Sequence, residues 1–284
     1  MANKCRPIPR LTPMSPIPTF LVSRGELIKP VKAVVFDIYG TLFISGSGDI
    51  GTEATATANS AELVSLFTLH DLESSPASLR RQLHDTIRAV HQTKKESGIE
   101  YPEVDILEIW ERILGWPDAE KIREFAAGYE LIVNPVYPMP DAKEVIAYCQ
   151  SADIAMGILS NAQFYTPCLF EWYYKKTTTA LGFQSDLCIY SYQLGMGKPE
   201  QALFEICASR LEKKGINRSN VLYIGNDMAN DIMPAARSGF QTALFAGDRR
   251  SLRLREKDPR CFGVVPDLVI TGFGQLVKMI DHFD

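Results

Sequence analysis

The sequence predicts an α/β fold: a Rossmann-like, doubly wound parallel sheet that carries an inserted α-helical cap domain. Three observations lead there. Short β-favouring apolar runs recur along the chain, separated by helical or loop-rich sequence. After the first run, residues 52–135 read as helices without strong strands. Polar residues follow four of the runs at comparable points, where a doubly wound sheet opens its ligand crevice.

The 284 residues suffice for one large domain and a smaller one. Hydrophobic residues make up 46% and charged residues 23%, which excludes a chain that is disordered or membrane-embedded as a whole. A net charge of −4 offers no general attraction to nucleic acid or to an anionic membrane, so a small-molecule substrate is expected. There is no run of eighteen apolar residues. Prolines at 7, 9, 13, 16 and 18 break any apolar stretch after Lys4, Arg6 and Arg10, so a cytoplasmic location is expected. Cys5, Cys149, Cys168, Cys188, Cys207 and Cys261 are scattered, with no C-x-x-C pair, and read as reduced thiols.

In chain order, residues 1–30 hold six of the seventeen prolines and read as an extended arm outside the core. Ala33–Ile38 is a continuous β-favouring run of the kind buried on both faces of a parallel sheet. Further strands are expected at Ile154–Leu159, Leu187–Tyr190, Val221–Ile224, Gln241–Phe245 and Leu268–Ile270. The core is therefore 31–51 together with 136–284, and the cap is 52–135. Within the cap, Leu79, Leu83, Ile87 and Val90 recur at helical spacing before Gly98. A second helix is expected over Glu103–Leu114 and a third from Asp118 to Val133, with Ile122, Phe125, Ala126 and Tyr129 on one stripe. Asp141 and Glu144 suggest a variant capping box that opens the helix leading into the next strand.

The chemistry should lie at the ends of these strands. Asp37 closes the first, with Gly40 and Thr41 turning the chain just beyond; Leu159-Ser160-Asn161 closes the second. Lys198 sits in Gly197-Lys198-Pro199, and Gly225-Asn226-Asp227-Met228-Ala229-Asn230-Asp231 ends the fourth. A carboxylate nucleophile divides one hard displacement into two easier ones, and a lysine with a serine hydroxyl can steady the developing anion. Asp227 and Asp231 are hard oxygen ligands of the kind Mg²⁺ prefers.

This ordered set, Asp37-Ile-Tyr-Gly-Thr-Leu42, Ser160, Lys198 and Asp227/Asp231, closely resembles the haloacid dehalogenase superfamily over about residues 31–280. The resemblance implies that Asp37 is the nucleophile, that Ser160 and Lys198 bind the anionic group with Thr41 and Asn161 beside them, and that Mg²⁺ is held among Asp37, Tyr39, Asn226, Asp227 and Asp231. It also implies a helical cap between the first and second motifs, with Gly46, Gly48 and Gly51 in the flap and hinge. Magnesium is the expected cofactor, a small phosphorylated metabolite the expected substrate, and hydrolysis of its phosphate the expected reaction. The oligomeric state is not readable.

Residue 39 departs from the phosphatase pattern. Tyr39 stands where phosphatases of the superfamily use a second Asp as acid and base, and a phenol is a poor base near neutral pH. In this it resembles the metal-independent 2-haloacid dehalogenases, which bind the substrate carboxylate with an arginine from the cap. Arg80 and Arg81 are candidates for that part, although paired arginines on a helix usually form a solvated face. A non-catalytic or regulatory member of the fold is a third reading. The basic run Arg249, Arg250, Arg253, Arg255, Lys257 and Arg260 reads either as a solvated loop or as the rim of an anion site.

Overall fold

A computed structural model describes residues 13–47 and 60–280. Ala33–Phe36 forms an interior strand of a seven-stranded sheet. Introduced in chain order, β1 is Arg24–Gly25 and β2 is Ala33–Phe36; β3 (Phe43–Ser45) and β4 (Val136–Pro138) lie outside the main sheet. Then come β5 (Ala155–Ser160), β6 (Phe183–Tyr190), β7 (Val221–Gly225), β8 (Gln241–Phe245) and β9 (Leu268–Ile270). The order across the sheet is β1-β9-β8-β7-β2-β5-β6, with every pairing parallel except β1 with β9.

The apolar run at 33–36 reflects burial on both faces. Val34 and Phe36 point into one core layer, with Ile146, Phe170 and Phe273; Ala33 and Val35 point into the other, with Phe204, Leu211 and Ala235. Helices α5 (Ala142–Ser151), α6 (Thr166–Tyr174) and α10 (Phe273–Ile280) cover the first face, and α8 (Gln201–Glu212) and α9 (Met233–Arg237) the second, while α7 is the short turn Ser191–Leu194. The parallel strands end together, which brings Asp37, Ser160 and Asn226 to one edge.

The insert is helical. It comprises α1 (Ser60–Leu69), α2 (Pro76–Glu96), α3 (Ile106–Leu114) and α4 (Ala119–Val133), around a core of its own. Trp110 lies at its centre, its ring 5.1 Å from Phe125 and 5.0 Å from Tyr129. Local signals set the helix ends: Ser75 accepts from Ser78 N ahead of Pro76, Asp118 accepts from the N–H groups of Glu120 and Lys121, and Gly115 takes the left-handed cap at φ 62°. The outgoing β3 and the returning β4 pair antiparallel, so the two linkers form one ribbon. Gly46 lies in that ribbon, its N–H donating to Pro135 O, whereas Gly48 and Gly51 fall outside the described residues.

Several expectations need correction. The third helix of the insert begins at Ile106, because Asp105 caps it, and Glu103 instead accepts a bond from Ser191. Asp141 sits in a left-handed conformation with no side-chain cap bond, so the capping-box expectation fails; an N-cap side chain needs an extended backbone to reach the N–H groups. The arm is part of the sheet: Arg24–Gly25 adds an edge strand, Thr19 donates to Ala246 O, and Gln241 Oε1 accepts from Ile28 N and Lys29 N. Cys149, Cys188, Cys207 and Cys261 are free thiols, but Cys168 is disulfide-bonded.

Trp110 is 1% exposed in a cluster whose buried members all come from the cap. Replacing it with alanine should cost about 3–5 kcal/mol, read from chemical denaturation, with the cap losing protection from hydrogen exchange before the sheet does.

Candidate active site

The turn after β2 builds the site. Gly40 takes φ +82°, and a Cβ there would lie 2.3 Å from Ser251 Cβ and 2.6 Å from Asn226 Nδ2, so the position requires glycine. The turn leaves Asp37 5% exposed at the strand end. Asp37 Oδ1 accepts from Ser160 Oγ at 2.8 Å and from Lys198 Nζ at 2.7 Å. Among the described residues Oδ2 meets one donor, Thr41 Oγ1, at the long distance of 3.5 Å. The two oxygens of this carboxylate are therefore inequivalent.

Lys198 is the hub of the site. Its ammonium also donates to Asp231 Oδ1 at 2.5 Å and to Tyr223 Oη at 3.3 Å. Burial alone would lower this ammonium, but the Asp231 and Asp37 carboxylates outweigh it and push the group up to about 12. Asp231 is spent on both oxygens: Oδ1 accepts from Lys198 and Tyr223, and Oδ2 accepts from the N–H groups of Asn226 and Asp227, each at 3.0 Å. Burial raises its carboxyl above the ordinary range, against the pull of Lys198. Asn161 fixes the lysine from behind, accepting from Lys198 N at 2.6 Å and donating to Lys198 O at 3.3 Å.

One cavity collects Asp37, Tyr39, Asn161, Lys198, Asn226, Asp227 and Asp231, seven of the nine residues singled out from the sequence. Ser160 and Thr41 reach it through their bonds to Asp37. The individual assignments shift. Asn161 is a positioning residue for Lys198. Tyr39 Oη lies 2.9 Å from Thr166 Oγ1, and burial together with the Glu130 carboxylate pushes its phenol far above the usual value, so it stays protonated. Asp227 caps the π-helical turn Met228–Ile232 by accepting from Ala229 N and Asn230 N, and Arg255 grips its carboxylate bidentately, with Nη2 at 2.6 Å. Neither Arg80 nor Arg81 lines the cavity; Arg80 acts electrostatically on Tyr129 within the cap, and Arg81 is exposed.

These ties test the donor set against Mg²⁺. Of the carboxylates expected to hold it, Asp231 is saturated by four donors and Asp227 is paired with Arg255, which leaves Asp37 and the neutral amide of Asn226. Asn226 Oδ1 lies 3.4 Å from Thr41 Oγ1, which also reaches Asp37. Among the described residues no group of three His, Cys, Asp or Glu side chains is placed to hold a metal ion. Mg²⁺ is ordinarily held by one or two carboxylates supplemented by waters or substrate phosphates, so Asp37 and the amide oxygen of Asn226 are the part of the expected set left to hold it.

Sequence reading missed two groups. Tyr223 sits in an apolar strand and reads as core, yet its hydroxyl links Leu159 O, Asp231 and Lys198. Ser251 and Arg253, from the loop after β8, also line the cavity. The basic run was the available signal, and it divides: Arg250 pairs with Asp248, Arg255 with Asp227, Arg260 with Asp258, and Arg253 lines the cavity while its Nη1 donates to the carbonyls of Arg250 and Leu252.

The family model of haloacid dehalogenase-like hydrolases matches residues 31–239. Comparison with the curated proteins gives no match. Among solved structures, the chain is similar to a 2-haloacid dehalogenase from Pseudomonas syringae at 18% identity and a TM-score of 0.55, covering 89% of this chain and 100% of that one. An L-2-haloacid dehalogenase from Xanthobacter autotrophicus, with chloropropionic acid covalently bound, matches at 21% identity and a TM-score of 0.52, again over 89% and 100%. A HAD phosphatase from Thermococcus onnurineus matches at 17% identity and a TM-score of 0.54, over 88% and 98%. At these identities the likeness is one of fold.

Replacing Lys198 with methionine leaves Asp37 and Asp231 buried without their shared cation. The loss should be about 3–5 kcal/mol at neutral pH. The stranded carboxylates would take up protons more readily in the folded than in the unfolded protein. The deficit should therefore shrink as pH falls toward the unfolded carboxylate range, which denaturation of both proteins across pH would show.

Proposed function

Because the chain belongs to the haloacid dehalogenase-like hydrolases, we propose that it hydrolyses a small anionic substrate through a covalent ester on Asp37, with a 2-haloacid the class that suits the site best. The inequivalence of the two Asp37 oxygens carries this reading. Oδ2, with a single long contact, is the oxygen available to attack carbon. Oδ1 then becomes the carbonyl oxygen of the ester, already facing Ser160 Oγ and Lys198 Nζ. When water adds to the ester carbon, negative charge develops on that same oxygen, and the two donors act as an oxyanion hole. Ester cleavage returns the carboxylate and releases the hydroxy acid. Asp227 is tied to Arg255 and Asp231 is held by four donors, so one proton of the water stays with the hydroxy acid and the other leaves to solvent.

The leaving group decides between substrates. A halide departs as a stable anion and needs no proton, whereas the oxygen of an unactivated phosphate ester does need one. Tyr39, bonded to Thr166 and held protonated by burial, is poorly suited to exchange that proton. The covalent chloropropionic acid in the Xanthobacter protein is in keeping with this chemistry.

Mg²⁺-dependent phosphate hydrolysis is the second reading. The position of Asn226 Oδ1 beside Thr41 and Asp37 favours it, and one similar structure is a HAD phosphatase.

Halide release from 2-chloropropionate that persists in EDTA is the expected result. Asp37→Asn should abolish it while leaving the melting temperature nearly unchanged, because the amide is isosteric but cannot form the ester. Phosphate release that requires Mg²⁺, with no halide release, would instead establish the second reading.

A further inference from the structure

The reaction at Asp37 draws on the Lys198 ammonium, yet the turn that carries this lysine, Gly195–Pro199, has little of its own to hold it still. Gly195 and Gly197 flank Met196 and bring no side chains to pack. From the core, Asn161 bonds both backbone groups of Lys198.

Further ties come from the cap. Gly197 N donates to Tyr101 O at 2.8 Å and Glu103 N donates to Gly195 O at 3.0 Å, which makes an antiparallel bridge between Pro102 and Met196. Tyr101, Pro102 and Glu103 belong to the stretch between α2 and α3, so a cap segment is bonded to the residue next to Lys198.

Glu103 fastens that segment. Its partly buried carboxylate spends both oxygens: Oε1 accepts from Val104 N at 2.9 Å and from Gln163 Nε2 at 3.3 Å, and Oε2 accepts from Ser191 Oγ at 2.8 Å. Gln163 stands two residues beyond Asn161, and Ser191 opens the short turn α7 that leads to Gly195. The Gln163 amide also donates to Val104 O at 2.8 Å and accepts from Ile106 N at 2.9 Å, and Lys94 of α2 donates to Glu103 O at 2.5 Å. Burial raises the Glu103 carboxyl, against the pull of Val104 N, the Ser191 hydroxyl and Lys94. Glu103 does not line the cavity of Asp37, so the reaction has no direct use for it.

We propose that Glu103 is a positioning residue for Lys198: it pins the cap segment 101–104 to the ends of β5 and β6, and the pinned segment fixes the turn from Gly195 to Lys198 so that the ammonium meets Asp37 Oδ1. What the ammonium then does rests on the proposed function; where it sits rests on these bonds alone. Without the carboxylate, the segment would keep its two backbone bonds to the turn but lose its hold on Gln163 Nε2 and Ser191 Oγ, and the turn would move with it.

Amide exchange followed by NMR reads how firmly the turn is held, and kinetics reads its use. In Glu103→Ala the Gly197 and Lys198 amides should exchange roughly 10-fold faster than in the wild type, as expected for the loss of charge-assisted hydrogen bonds. The kcat for halide release from 2-chloropropionate should fall roughly 10- to 100-fold with KM little changed, because the lysine serves charge that develops in the transition state. Glu103→Gln, which keeps one acceptor oxygen, should recover most of both. Leu83→Ala, which weakens the cap from within its own cluster, should leave both at their wild-type values. Unchanged amide exchange in folded Glu103→Ala, faster exchange with an unaltered kcat, or an equal fall of kcat in Leu83→Ala would each overturn the assignment. If Glu103→Ala does not fold, Ser191→Ala, which removes the donor to Oε2, takes its place under the same outcomes. A wild type that releases no halide sinks the proposed function instead. The position of Lys198 is then read from the NMR signal of its ammonium, identified by its loss in Lys198→Arg: broadening of that signal in Glu103→Ala upholds the assignment, and an unchanged signal overturns it.

Discussion

A single buried ammonium, that of Lys198, sits between Asp37 and Asp231, and the geometry of the site depends on it. Each of these ions loses several kcal/mol of hydration on burial, and the three are tolerable together because each has partners. Lys198 reaches Tyr223 as well, and Asp231 collects two backbone N–H groups from the turn after β7. The contact thus links β2, the loop before α8, β7 and the π-helical turn. With two carboxylates to one ammonium the group keeps a net negative charge.

The segment after β8 lines the same cavity, and the arm helps to hold it in place. Asp248 is 1% exposed and accepts from Ile17 N and from Arg250, whose Nη2 donates to Ser15 O. Residues 15–17 are therefore tied to the loop that presents Ser251, Arg253 and Arg255. The same loop ties down Asp227, whose carboxylate Arg255 holds bidentately.

The cap touches this chemistry through α4. Asn134, which ends that helix, donates to Glu130 and accepts from Ser45 of β3, while Glu130 bonds Tyr165 and bears on Tyr39. Burial raises the Glu130 carboxyl, which eases its placement beside two phenols. Cap, ribbon and catalytic edge are thereby mechanically joined close to the reaction centre, although the cap keeps a core of its own.

The sheet was legible because its evidence is local. A strand buried on both faces must be apolar throughout, so Ala33–Phe36, Val221–Gly225, Gln241–Phe245 and Leu268–Ile270 announce themselves within a few residues of their bounds. Asp37 and Ser160 were legible for a related reason: polar groups at the ends of parallel strands converge wherever the strands are in register. Pairing between distant polar groups has no such local signature. Nothing around Asp227 indicates that Arg255, twenty-eight residues later, will claim it. The composition of the strand does not reveal that the Tyr223 hydroxyl serves the site, nor does the basic run single out Arg253 among its neighbours. The sequence by itself determined the layers, the order of the elements and the polar residues at the strand ends. The tertiary structure alone decided which carboxylates are spent and on which cations, because charge pairing depends on distances between loops that only the folded sheet sets.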